Sequence, residues 1–144
     1  MSLFRAIVVM TGFLCFASGG LFAGANQYET LRDGDIIFQT SLSSQSLAIQ
    51  RASGSKYSHM GIILFRDGAP FAFEAVGPVR YTPLKDWIGR GEGGHYVVKR
   101  LVDADSILTT DAVEKLRGQT RLFEGKPYDL TFEWSDDRIY CSEL

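Results

Sequence analysis

Apolar and polar positions divide the chain into a leader and a body. The apolar stretch Ala6 to Phe16 follows a single charged residue, Arg5, and gives way to small residues ending Ala23-Gly24-Ala25 ahead of Asn26. That order of a basic start, an apolar run and an A-x-A ending predicts a secretory signal peptide over residues 1–25. The run is shorter than the roughly 20 residues needed to cross a bilayer core, and Ser18, Gly19 and Gly20 follow it, which argues against a retained anchor. Residues 26–144 are therefore expected to act in the periplasm or outside the cell, with no stable membrane span.

Within the body, Arg32-Asp33-Gly34-Asp35 reads as a turn entering a short strand, Ile36-Ile37-Phe38. Leu42, Gln45, Ala48, Ile49 and Ala52 recur at helical spacing, so a helix is predicted over 41–52, stopping near Gly54. Two apolar runs, 60–65 and 71–76, flank Arg66-Asp67-Gly68-Ala69-Pro70 and read as a hairpin. Residues 82–88 suit a short helix or turn, and the Gly-rich stretch 89–94 suits a loop. His95 to Leu101 alternates like a strand, and a helix is expected from about Ser106 to Phe123, stopped by Gly125-Lys126-Pro127. The pattern is that of one α+β domain with several antiparallel strands, without repeats or a linker.

Composition narrows the chemistry. Of 144 residues, 45% are hydrophobic and 22% charged, the balance of an ordinary globular domain. Fifteen Lys and Arg against 17 Asp and Glu leave no basic surplus for gripping nucleic-acid phosphates, so nucleic acid is not an expected partner. Without its leader the chain has about 119 residues and a net charge near −3. Only Cys15 and Cys141 are present, and loss of the first removes any internal disulfide.

Three residues are candidates for catalysis. Cys141, followed by Ser142 and Glu143, suits the start of a helical turn, where backbone N–H groups favour a thiolate; a lone cysteine equally suits a small buried position. His59 stands at the mouth of an apolar strand, fit for a general base, or for a satisfied surface histidine. Glu74 ends the strand expected to pair with that of His59, where it would orient the imidazole or else face solvent. His95 reads as an exposed loop end. No His, Cys or Glu pair has the short spacing of a zinc site, so neither a metal nor any other cofactor is expected. Tyr57, Tyr128 and Tyr140 suit either a cleft wall or core packing.

Taken in order, Gly34-Asp35-Ile36-Ile37-Phe38, Ser58-His59-Met60-Gly61-Ile62, Glu74-Ala75, Thr82-Pro83-Leu84 with Trp87, Gly125-Lys126-Pro127-Tyr128-Asp129 and Tyr140-Cys141-Ser142-Glu143-Leu144 resemble the permuted papain-like cysteine hydrolases of the YaeF/YiiX type, related to NlpC-type cell-wall peptidases. The resemblance implies a circularly permuted papain-like fold with an antiparallel sheet and flanking helices. It also implies a hydrolase for amide or ester bonds, with Cys141 as nucleophile, His59 as base and Glu74 as the third polar member. The substrate expected is a small molecule, a peptide such as those of the cell wall, or an acylated compound. A lipid deacylase or acyltransferase of the same superfamily, or a binding module without turnover, are the alternatives. Family chains continue past the cysteine, so the domain reads as truncated there, with weak helix-dipole and packing support for the thiol expected.

Overall fold

The computed structural model describes residues 28–132 and 137–144; the expected leader, with Cys15, lies outside the described residues. Five strands, β1 (Ile36–Ser41), β2 (His59–Arg66), β3 (Ala69–Glu74), β4 (Arg80–Pro83) and β5 (Gly91–Lys99), form one antiparallel sheet in the order β4-β3-β2-β1-β5. The helices are α1 (Ser46–Ser53), α2 (Leu84–Gly89), α3 (Ala104–Ile107) and α4 (Thr110–Phe123). This is the α+β architecture expected.

The β2–β3 hairpin follows from its turn. Arg66 pairs with Ala69 across two residues, Asp67 and Gly68, whose φ values of 50° and 77° are those of a tight turn with the strand's own twist. Alternation then sorts the side chains. Ile37, Ile63 and Ala72 pack under Leu84 and Trp87 of α2 on one face. On the other, Leu64 and Phe73 join Ala75, Val79 and Ile139, with Leu116 and Phe123 of α4 against them. Two ion pairs fasten the periphery: Arg100 grips buried Asp35 through both carboxylate oxygens at 2.7 Å, and Arg117 of α4 donates to Asp33 at 2.9 Å and to the Phe65 carbonyl at 2.7 Å.

Three expectations are corrected. Strand β1 runs to Ser41, which pairs with Gly91, so the helix begins only at Ser46. The Gly-rich stretch is not a loop: Gly91 to Gly94 open β5, with Gly93 and Gly94 at φ 60° and 65° beside a register shift between Gln39 and Ser41. Glycine here builds an irregular strand edge of the bulge kind. The helix expected from Ser106 to Phe123 is broken at Leu108–Thr109, where Thr109 caps α4 by accepting from the Ala112 N–H at 3.3 Å.

After α4 the chain returns alongside Val79, whose N–H donates to the Lys126 carbonyl and whose carbonyl accepts from Gly125 N–H, both at 2.8 Å. Tyr128 and Ile139 then form a parallel bridge, placing Cys141 two positions beyond buried Ile139. Among the described residues no helix is long and apolar enough to cross a membrane.

Candidate active site

His59 is the first residue of β2, on the sheet face covered by α2, and its side chain is 11% exposed. Glu74 ends β3 on the same face and is fully buried. Gly61 lies between His59 and Ile63 on this face; a Cβ there would stand 2.9 Å from the Phe73 carbonyl oxygen, so a side chain at 61 would push β3 away. With that space open, His59 Nε2–H donates to Glu74 Oε2 at 2.7 Å.

The other carboxylate oxygen of Glu74 accepts from Thr82 Oγ1 and from the Arg90 guanidinium, each at 2.5 Å. Thr82 comes from β4 and Arg90 from the end of α2, so two elements hold the acid and the acid holds the imidazole. Trp87, wholly buried, stacks on the His59 ring with centroids 5.8 Å apart and planes at 26°.

Cys141 completes the group. It is buried, and it opens a turn in which Tyr140 N–H donates to Glu143 Oε2 at 3.0 Å while Glu143 N–H donates to the Tyr140 carbonyl at 3.1 Å. The two bonds close a single four-residue turn with Cys141 as the first residue inside it. His59 and Cys141 line the same cavity, and the thiol is near enough to raise the His59 pKa.

The electrostatics follow from this sandwich. Burial by itself lowers the His59 pKa, but the hydrogen bonds to Cys141 and Glu74 and their negative charge outweigh it and hold the pKa at about 9. Burial pushes Glu74 upward, and its bonds to His59 and Thr82 with the charges of His59 and Arg90 bring it below the ordinary carboxylate range. Burial, then the charges of Cys141 and Asp129, push Tyr128 up to about 12, so its hydroxyl keeps its proton.

Three cavities meet here. One of 340 Å³ is the most polar of the three, bounded by Gln39, Ser41, Ser43, His59 and Arg90 together with apolar Ile49, Ala75, Val76 and Leu130. A second of 410 Å³ is walled by Phe38, Ile49, Met60 and Val97 and reaches both His59 and Cys141. A third of 450 Å³ continues past Cys141 along Ala48, Ala52, Phe132 and Tyr140.

The structure thus brings His59, Glu74 and Cys141 into one cluster. His95 stays outside it, in β5, with its ring stacked on Tyr57 at 6.3 Å. Thr82, Trp87, Arg90 and Gln39 were not singled out from sequence for any role. Among the described residues no three His, Cys, Asp or Glu side chains gather as metal ligands. Nε2 of His59 and both oxygens of Glu74 are already bonded within the cluster, so these donors do not form an open ligand set.

Residues 30–144 match a protein family described as permuted papain-like amidases, YaeF/YiiX, C92. YiiX of Escherichia coli strain K12, described as an uncharacterized protein, is 54% identical over 111 residues, which is 77% of this chain and 54% of the relative. The crystal structure of YiiX from Escherichia coli O157:H7, described as a metalloprotein, superposes with a TM-score of 0.74 at 54% identity, covering 78% of this chain and 61% of that one. The chain therefore spans little more than half the length of the relatives it matches.

Proposed function

The chain belongs to the YaeF/YiiX, C92 family of permuted papain-like amidases, and from that premise we propose that it is an exported cysteine hydrolase that opens an amide or ester bond through Cys141, His59 and Glu74. The observation that carries this reading is the placement of His59 between a buried carboxylate and the thiol. Such an imidazole is placed to take the thiol proton as the sulfur attacks, with Glu74 balancing the charge it gains.

Cys141 sulfur attacks the carbonyl carbon, and the carbonyl oxygen gains charge next to the Cys141 N–H at the start of its turn. His59 then gives its proton to the departing amine or alcohol, leaving a thioester. Water, losing a proton to His59, attacks the thioester and frees the acid, returning the cluster to its first state. Glu74 holds the ring and balances the imidazolium throughout, with Arg90 and Thr82 fixing Glu74 in turn. Cell-wall peptide amides are one class of substrate by the relation to NlpC-type enzymes.

The test is alkylation of Cys141 by iodoacetamide, followed by intact mass between pH 5 and 9. At pH 6 the native chain is expected to react at least tenfold faster than N-acetylcysteine, and His59→Ala to abolish the excess. A rate equal to that of the free thiol, indifferent to His59, refutes an assembled nucleophile and leaves the binding-module reading.

One observation favours a second reading. The cavities that reach Cys141 are walled chiefly by apolar side chains, as a deacylase for long acyl groups requires. Ester turnover that rises steadily with acyl length from C2 to C12 would mark that activity, whereas a preference for short acyl groups would point to the peptide amidase.

A further inference from the structure

Arg90 does more than hold Glu74. One terminal nitrogen of its guanidinium donates to Glu74, its Nε is buried with no partner among the described residues, and 38% of the side chain is exposed, along the wall of the polar cavity. Arginine carries five donors, so this group has spare N–H bonds where a ligand would sit. Next to it stands Gln39, 2% exposed, with Oε1 buried and unpartnered and pinned over Gly91. That oxygen is an acceptor, so the ligand group that satisfies it is an N–H, such as the amide N–H of a substrate, and not a carboxylate.

Elsewhere the wall is mixed: Ser41 and Ser43 supply hydroxyls beside apolar Ile49, Ala75, Val76 and Leu130, the Ser58 hydroxyl is already bonded to Ser46 and to the Ser41 N–H, and none of the described lining residues is acidic. Ser43 and Gln45 also mark the N-terminal end of α1, which has no acidic residue in its first turn, so the positive end of the helix is not neutralised locally. The charges of His59 and Arg90 are met by Glu74 and by Cys141 once it has passed its proton to His59, so the exposed part of the Arg90 guanidinium is the group in this wall that suits a carboxylate.

Position defines which part of the substrate carries it. The polar cavity adjoins His59, the group that protonates the leaving amine, while the apolar cavities lie around Cys141. We propose that the polar cavity is a carboxylate subsite, so that the substrate is an N-acyl amino acid or a peptide whose C-terminal carboxylate pairs with Arg90 and whose last amide bond is cut. The inference rests on Cys141 being the nucleophile. The reaction is balanced by water alone: the C–N bond breaks, the oxygen of water joins the acyl carbon, and the amino acid leaves carrying the proton passed through His59.

The test compares two covalent probes, chloroacetyl-glycine and chloroacetyl-glycinamide, which differ only in the terminal charge. Labelling of Cys141 by intact mass yields the half-saturating concentration and the limiting rate for each. The native chain is expected to bind the carboxylate probe at least tenfold more tightly, Arg90→Lys to keep part of that preference, and Arg90→Gln to bring the ratio to about one whatever its limiting rate. A second measurement uses the native chain alone: N-acetylglycine should protect Cys141 from iodoacetamide where N-acetylglycinamide does not. Equal affinity for the two probes, or a preference that survives Arg90→Gln, overturns the subsite while leaving the nucleophile intact. Labelling by both probes no faster than a free thiol refutes the nucleophile and the subsite together.

Discussion

The indole of Trp87 lies against the imidazole of His59 at 5.8 Å between centroids, and the Nε1 of that indole is buried with no partner among the described residues. The ring is there for its face, not for its N–H. Trp87→Phe keeps an aromatic face and deletes the orphan donor, so a cost under about 2 kcal/mol is expected. Trp87→Ala opens a cavity beneath the site and is expected to lose about 3–5 kcal/mol. Urea unfolding of the two variants checks the difference.

Replacing Glu74 by Gln removes the charge that faces both His59 and Arg90. The contribution of Cys141 remains, so the titration of His59 is expected to fall below about 9 as burial is opposed by one partner instead of two. The chain has two histidines, so an NMR titration of the ring protons, with His59→Ala to assign them, reads this directly. Hydrolysis is expected to drop about 100-fold as the base loses orientation and countercharge.

Stability should follow the same titration. The His59 pKa is raised on folding, so its contribution is complete below the unfolded value near 6.5 and is lost as pH rises through about 9. Glu74 is lowered, so its contribution is present above the ordinary carboxylate value of 4.5 and is lost as acid protonates it in the folded state. The urea midpoint of the native chain is expected to fall on the alkaline side by the equivalent of about 3 kcal/mol. His59→Ala should flatten that limb. Cys141→Ala should move it to lower pH, because Cys141 supplies the largest single contribution that raises His59.

Gly91→Ala tests the wall of the polar cavity. A Cβ there would lie 2.1 Å from Gln39 Oε1 and 3.0 Å from its Cδ, so the buried amide has to move. A cost of about 1–3 kcal/mol in urea unfolding is expected. Addition of Gln39→Ala, which vacates the space, should restore part of it; strict additivity of the two losses would show that Gln39 is free to swing aside.

Short-range chemistry was the legible part of this fold. Asp67-Gly68 announced its hairpin, and alternation put His59 and Glu74 at matching ends of paired strands, because a two-residue turn fixes register. The Gly-rich residues 91–94 misled because their composition is that of a loop, whereas pairing with β1 and a register shift make them a strand. The apolar stripe across 106–123 continued through Leu108–Thr109, hiding the break that Thr109 caps. Arg90 and Gln39 were silent, since what gives each its meaning is a partner or a cavity that no local pattern encodes.

The two halves of the cluster enter the fold on different terms. His59 and Glu74 are fifteen residues apart on one tight hairpin, a unit of local contacts that forms early and opens late. Cys141 reaches them only after the return past Val79 and the single bridge from Tyr128 to Ile139. Amide hydrogen exchange should accordingly be slow along β2 and β3 and fast near Cys141, which makes docking of the 137–144 segment the last event in assembling the cluster and the first to be lost under mild denaturant.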